Sequence, residues 1–450
     1  MTSLTDASFG LPALAPLATP IDAGDTAWLL AATALVLLMA PGLALFYGGM
    51  VRSKSVLNMI MMTFGALAAI TVIWVLVGYS MAFGDDVGGG LLGNPFQDVG
   101  LQSLLSSSAD SWLSVPVILF AAFQGLFCVI TGALVSGAIA DRARFGAWIV
   151  FVSIWTVLVY APVAHWVFDA SRTGHTGGWL LNRVGLVDFA GGTAVEICSG
   201  ASALALALVI GTRVGFGKEA MRPHNLTLVM LGAGLLWFGW FGFNAGSALK
   251  ADHTAAVVFV TTLCAGAAGA LGWLGIERLR DGHATSLGAA SGLVAGLVAI
   301  TPSCSSLSPL GALVMGAAAG VICALAVGLK YTFGYDDSLD VVGVHMVGGL
   351  VGTFGIGLLA TAAAPAGVDG LFYGGGVDQL GKQVLAGGVV LVYAFVVSGI
   401  IGLVVDRTMG LRIDEEHEVS GIDLVVHAET AYDLHATAGT RSTGFLGHRE

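Results

Sequence analysis

Charge is what this sequence has least of. Of its 450 residues only 10% are Asp, Glu, Lys or Arg, 56% are hydrophobic, and the mean hydropathy is +0.87; a soluble domain carries about 25% charged residues. The deficit excludes a soluble domain and leaves a polytopic membrane protein. The net charge of −11 says nothing about nucleic-acid or other partners, because much of the acid lies in loops and in the tail after Arg412. Cysteine is also scarce, five in all, and Cys128, Cys198, Cys264 and Cys323 fall in apolar runs without CxxC or Cys/His spacing. No disulfide framework, metal site or cofactor is expected from them. No HExxH or Ser/His arrangement is present, so nothing marks an enzyme. The first 26 residues hold Asp6, Asp22, Asp25 and three prolines but no lysine or arginine, and so lack the basic start of a secretory signal.

What is abundant is glycine, 66 residues, which lets membrane helices approach closely. About 20 apolar residues span a bilayer, and eleven such runs are present: Ala27–Tyr47, Val56–Phe83, Val115–Ala140, Phe145–Phe168, Phe189–Thr212, Leu226–Ala248, Ala255–Gly275, Ser286–Ile300, Leu310–Leu329, Val341–Ala364 and Leu385–Val405. The eighth is the shortest. Of the 18 lysines and arginines, 14 lie in the loops after odd-numbered runs or in the C-terminal tail; Arg172, Arg183, Lys250 and Lys382 do not. Basic residues collect on the cytoplasmic side, which predicts an outside N-terminus and an inside C-terminus. The expected fold is therefore an all-α integral membrane protein of eleven transmembrane helices: two inverted five-helix repeats, with a substrate site at their interface near the midplane, and one extra helix. Residues 1–26 are expected as a short external tail, 27–409 as the membrane domain and 410–450 as a cytoplasmic tail.

Two residues stand out in this apolar background. Glu196 lies in DFAGGTAVEICSGASALA and His345 in DVVGVHMVGGLVGTFGIG, the fifth and tenth runs, each four residues before a glycine. A buried ionised carboxylate without a partner costs several kcal/mol, so the two are predicted to face each other across a pore and to share a proton as a pair. Asp188 starts the first stretch, where an acid favours a helix N-terminus; it is expected to cap that helix and to lend negative potential to a vestibule. Aromatic residues on several runs, Phe46 and Tyr47, Phe123 and Phe127, Trp166 and Phe168, Trp240, Phe241 and Phe243, suit a cation–π cage near the outer face, with Ser247 as hydrogen-bond acceptor for a small cation carrying N–H donors.

With PGLALFYGGMVRSKSVLNM, AAFQGLFCVITGAL, DFAGGTAVEICSGASAL, VGFGKEAMRPHNL, GWFGFNAGSA and DVVGVHMVGGLVGT in view, the chain resembles the ammonium transporter family (Amt/Mep/Rh) from about Ala27 to about Tyr432. The resemblance implies a homotrimer of the cell membrane with a pore through each subunit. It implies that Phe127 and Phe243 are the stacked gate, that Ser247, Phe127, Phe168 and Trp166 form the external ammonium site supported by Asp188, that Trp240 and Asn244 line the wall, and that Glu196 and His345 relay the proton. Glu196 stands where most members carry a first pore histidine, and Phe168 where a tryptophan often completes the cage. The expected activity is electrogenic transport in which ammonium is deprotonated outside, ammonia passes the pore and the proton travels separately. A neutral gas channel and an ammonium sensor are the alternatives; an intramembrane hydrolase using Asp336 and Asp337 is disfavoured, because those acids sit at a helix start. The tail from Leu411 is expected to be ordered on the cytoplasmic face, where a PII-type regulatory protein can bind members of the family, and the residues from Thr437 are expected to be disordered.

Overall fold

The computed structural model describes residues 20–105 and 113–432. Most of the expected external tail, and the whole end from Thr437, lie outside these described residues. The described chain is helical, with isolated backbone bridges in its loops. Eleven helices correspond to the eleven runs: α1 Ala23–Met50, α2 Val56–Phe83, α3 Val117–Ile139, α4 Phe145–Phe168, α5 Gly192–Ile210, α6 Leu226–Gly246, α7 His253–Asp281, α8 Ser286–Ile300, α9 Pro309–Phe333, α10 Val342–Leu359 and α11 Asp378–Met409. Ten are long and apolar enough to cross a membrane. The eleventh, α8, has 15 residues and is buried at every position from Ala290 to Ile300, so protein rather than lipid sets its length.

Two boundaries differ from the hydropathy runs for physical reasons. The fifth helix begins at Gly192 rather than Phe189, because the Asp188 carboxylate accepts from the Gly191 and Gly192 amides at 2.8 Å and from the Thr193 amide at 2.7 Å. Those are the orphan donors of a helix N-terminus. The eleventh run is only the middle of a 32-residue helix whose ends, with Asp378, Lys382, Asp406 and Arg407, are polar.

The helices that carry Glu196 and His345 are built alike. Each opens with a wide π turn, Gly192–Ile197 in α5 and Val342–Met346 in α10, and continues as 13 residues of regular α-helix. Each ionisable residue sits in its π turn. An acid eight positions earlier caps each: Asp188 in the first, and in the second Asp337, whose Oδ2 accepts from the Val342 amide at 2.7 Å. The capping offset is the same, since Asp188 Oδ2 accepts from Thr193, also five residues on. The two helices cross where side chains are absent. A Cβ at Gly200 would lie 2.4 Å from the Met346 nitrogen, and one at Gly349 would lie 2.9 Å from the Glu196 Cβ.

Residues 411–427 of the tail close the end of the bundle where α2 and α4 begin. Arg144 N donates to Leu411 O at 2.9 Å and Ile413 N to Arg142 O at 3.0 Å. Helix α2 has no side-chain cap of its own; Asp423 supplies one, its oxygens accepting from the Leu57 amide at 3.0 Å and the Asn58 amide at 2.8 Å. His427 Nε2 donates to Asn58 Oδ1 at 3.0 Å.

Candidate functional site

The crossing of α5 and α10 sets the centre of the site. Glu196 and His345 are both buried, and His345 Nδ1 donates to Glu196 Oε2 at 2.7 Å. The glycines four residues on allow this approach: with any side chain at Gly200 or Gly349 the backbones would stand farther apart.

On the side away from the tail, Phe127 of α3 and Phe243 of α6 lie face to face, with centroids 3.9 Å apart and planes 10° from parallel. Both are essentially fully buried, so the stacked pair fills the space between α3 and α6. Phe168, the last residue of α4, meets Phe127 edge-on at 6.3 Å and 89°. Ser247, just past the end of α6, donates its hydroxyl to Phe243 O at 2.9 Å. Its hydrogen is thereby committed and its oxygen is left as an acceptor, the role a cation with N–H donors needs.

Trp166, expected beside Phe168, is placed elsewhere. Its indole N–H donates to Leu91 O at 2.7 Å and its ring packs against Trp179 at 6.1 Å and Tyr393 at 4.7 Å. Residues two apart on a helix point about 200° from each other, and it is Phe168 that faces Phe127. Asp188 is half-buried with its oxygens taken up by three amides and the Thr193 hydroxyl, so its direct contacts are those of a helix cap.

On the tail side of His345 runs a narrow apolar space. It is lined by Met39, Leu43 and Phe46 of α1, Ile130 and Leu134 of α3, Leu236 and Trp240 of α6 and Val294 of α8, and closed by His345. About 10 Å³ of it is open, enough for roughly one water-sized molecule. Trp240 is held there by its Nε1 donating to Thr301 Oγ1 at 2.9 Å. Asn244 is placed outside this space, its amide donating to Thr262 Oγ1 on α7 at 3.0 Å. Phe46 had been legible as one aromatic near the path. The aliphatic lining had no signal, since leucine or valine in an apolar helix looks the same facing pore, lipid or neighbour.

Beyond this space, at the tail face, lies a buried ionic cluster whose members are far apart in sequence. Arg213 donates Nε and Nη2 to the two oxygens of Asp336 at 2.9 and 2.8 Å, and Nη1 to Asp141 at 3.0 Å. Arg142, fully buried, donates to Gly211 O, Ala140 O, Ser338 Oγ and Asp336 O. Burial works against ionised Asp336, yet hydrogen bonds from Arg213 and the charge of Arg142 hold its carboxyl below the ordinary range. Asp337 is different: burial, with Asp340 beside it, pushes its carboxyl up to about 6. One acid is clamped by arginine and the other caps α10, which leaves neither for hydrolysis. The face-stacked phenylalanines, the buried Glu196–His345 contact and the small apolar void beside it together make the centre of the bundle the candidate site.

The family model of the Ammonium Transporter Family matches residues 27–432, nine-tenths of the chain. The chain belongs to the ammonium transporter family. It is 57% identical over 441 residues to an ammonium transporter of Mycobacterium tuberculosis, covering 93% of this chain and 92% of that one. It is 44% identical over 413 residues to an ammonium transporter of Bacillus subtilis, covering 91% and 98%. Among solved structures, Saccharomyces cerevisiae Mep2 superposes with a TM-score of 0.80 at 36% identity over 88% of this chain and 91% of Mep2. A sensor Amt protein superposes at 0.82 and 27% identity over 89% and 98%. The chain is thus a multi-pass ammonium transporter of the cell membrane, with the eleven-helix fold of its family, and not an enzyme.

Proposed function

We propose that this ammonium transporter is electrogenic and moves ammonia and its proton by separate routes. The observation that carries the reading is the 2.7 Å contact between Glu196 and His345 inside an apolar bundle. Moving a desolvated ion through hydrocarbon costs far more than moving a neutral molecule. A passage with room for about one water-sized molecule and apolar walls therefore suits ammonia. The ion binds outside against Phe168 and Phe127 with Ser247 as acceptor, and Asp188 supports the site as a cap. It loses its proton there; ammonia passes Phe127 and Phe243 and continues beside Trp240. The proton crosses through Glu196 and His345, which hold one proton between them as a coupled pair. Potassium, with no proton to release and no N–H donors, is rejected. Asn244 serves by bracing α6 on α7.

In this reading the N-terminus is outside and the tail inside, in line with the distribution of lysine and arginine. The working form is a homotrimer, and the ordered tail offers a cytoplasmic face to a PII-type regulatory protein, as the family resemblance implies. Phenylalanine is a poorer cation–π partner than tryptophan, so Phe168 makes recruitment weaker than in members with tryptophan there.

The test is the transient current on a solid-supported membrane after an ammonium jump, for wild type and Glu196→Gln. An amide cannot relay a proton, so current in wild type and none in the variant is expected. Wild-type current in Glu196→Gln overturns the relay. Ammonia flux seen by an internal pH dye, with no current in either protein, makes the chain a neutral channel.

A further inference from the structure

Directly after Phe168, a cluster of titratable groups begins that the transport steps do not use. Asp169 follows the last residue of α4, and its side chain is 1% exposed. The chain then makes a tight turn in which Arg172 and His175 exchange two backbone hydrogen bonds, 3.0 and 2.9 Å, bringing the imidazole back over the helix end. His175 Nε2 lies 2.7 Å from Asp169 Oδ2, and its Nδ1 lies 3.0 Å from Asp85 Oδ1, two residues past the end of α2. Ionised carboxylates only accept hydrogen bonds, and a neutral imidazole has a single N–H. Neutral His175 would set a lone pair against one of the two; the imidazolium donates to both.

Charged and titratable groups from α2, α4 and the turn itself pack around this contact. His165 of α4 is buried, donates Nδ1 to Ala82 O at 3.0 Å, and has its Nε2 3.5 Å from Asp86 and its Nδ1 3.4 Å from Asp169. Arg172 Nη1 lies 3.4 Å from Asp169 Oδ1. Asp98, Arg172 and Asp169 all act electrostatically on Tyr79 of α2. Asp85, Asp86 and Asp169 thus face one guanidinium and two imidazoles. Burial pushes the Asp169 carboxyl above its ordinary range, and His175 is the first group to oppose that push.

We propose that His175, as an imidazolium, is a positioning residue of the external ammonium site: it ties the end of α4, and with it Phe168, to the end of α2, so that external acidity tightens ammonium recruitment. The proposal rests on the reading of Phe168 as part of that site. His175 touches no substrate; it acts through Asp169 on the ring next in sequence. When the proton leaves, one of the two ties is lost, the last turn of α4 loosens, and the edge-on contact of Phe168 with Phe127 is held less tightly. Ammonium is a far weaker acid than imidazolium, so the supply of substrate is unchanged between external pH of about 5.5 and about 8.

The experiment is the apparent KM for ammonium, from solid-supported-membrane currents of the reconstituted full-length protein, between external pH of about 5.5 and about 8, the range over which histidine changes charge. Wild type is expected to show a KM that rises several-fold over that range. His175→Gln is expected to show a KM independent of pH and equal to the wild-type value at the alkaline end, with its maximal current retained. Asp85→Asn removes a carboxylate whose side chain is 68% exposed, strands no buried charge, and should move the rise to lower pH. A flat wild-type KM, or His175→Gln keeping the wild-type pH dependence, overturns the proposal. If His175→Gln does not fold, Asp85→Asn decides: an unmoved rise overturns it. Phe168→Ala separates the two readings. An unchanged KM in that variant means the external site itself is misplaced; a raised KM there with His175→Gln tracking wild type removes the tie alone.

Discussion

Glu196 and His345 can be only as close as Gly200 allows, and Gly200→Ala measures that dependence. A methyl group at Gly200 would lie 2.4 Å from the Met346 nitrogen and 2.5 Å from its Cβ, where ordinary contact begins at 3.4 Å. The obstacle is backbone, so no side chain can swing aside and α10 must retreat by about 1 Å. Met346 follows His345 in that helix, and the same retreat stretches the 2.7 Å hydrogen bond to about 3.7 Å, beyond bonding reach. A hydrogen bond to a charged group contributes about 1.5–3 kcal/mol, so the bridged pair becomes about 10- to 150-fold rarer. Overpacking itself costs about 1–3 kcal/mol, which a folded bundle survives. The assay is the ammonium-jump current, with gel filtration in detergent to confirm that the variant is folded. At least a tenfold loss of current is expected. Gly388→Ala, at a position with nothing within 4 Å of the added carbon, should leave current and elution unchanged. Wild-type current in a folded Gly200→Ala protein refutes the view that this contact is what the proton needs.

Other outcomes follow from the ends of the bundle. Arg213→Ala leaves Asp336 and Asp141 buried without their main partner; a loss of about 3–5 kcal/mol is expected, read as a lower thermal midpoint in detergent, and lysine, lacking the fork, should not rescue it. Asp337 supplies a pH test. Its carboxyl is raised in the fold from 3.8 to about 6, so the ionised form is the less stable one there; stability is complete below about pH 4 and declines as pH rises through about 6. Asp337→Asn keeps an oxygen for the Val342 amide and removes the ionisation. It should raise the thermal midpoint at about pH 7.5, by up to roughly 3 kcal/mol of stability, with the advantage vanishing near pH 4. Phe168→Trp strengthens the cation face by about 0.5–1 kcal/mol and should lower the KM for ammonium uptake about two- to fivefold.

The positions of the membrane helices were legible because apolar length is a property of consecutive residues, and eleven runs became eleven helices. Glu196 and His345 were legible for a related reason: an ionisable group in such a run is conspicuous, and two of them in equivalent runs invite pairing. The capping acid of the second helix was not. Asp340 opens its stretch in the sequence and invites alignment with Asp188, yet Asp337 holds the equivalent place, since it is the one eight residues before the pore residue. The choice between Trp166 and Phe168 needed the rotational phase of α4, which a nearly all-apolar helix does not reveal. The Arg142, Arg213, Asp141 and Asp336 cluster was readable only as loop charge, because its members come together from distant loops, Arg142 and Asp336 being 194 residues apart. The π turns under Glu196 and His345 have no sequence signal in residues as plain as GTAVEI and VGVHM.

The cap that Asp423 places on α2 has a consequence for biosynthesis. Asp423 lies 366 residues after Leu57, which at ribosomal speed is roughly 20 to 70 seconds of elongation. Through that interval α2 is already threaded into the bilayer with its first amides uncapped, and the loop through Arg142 and Arg144 lacks the strand-like partner that residues 411–413 provide. A chain released between Met409 and Asp423 carries every transmembrane helix described above yet exposes those unmet donors to the machinery that surveys membrane proteins. The fold of the earliest helices to be inserted is thus finished only by residues made after the last transmembrane helix.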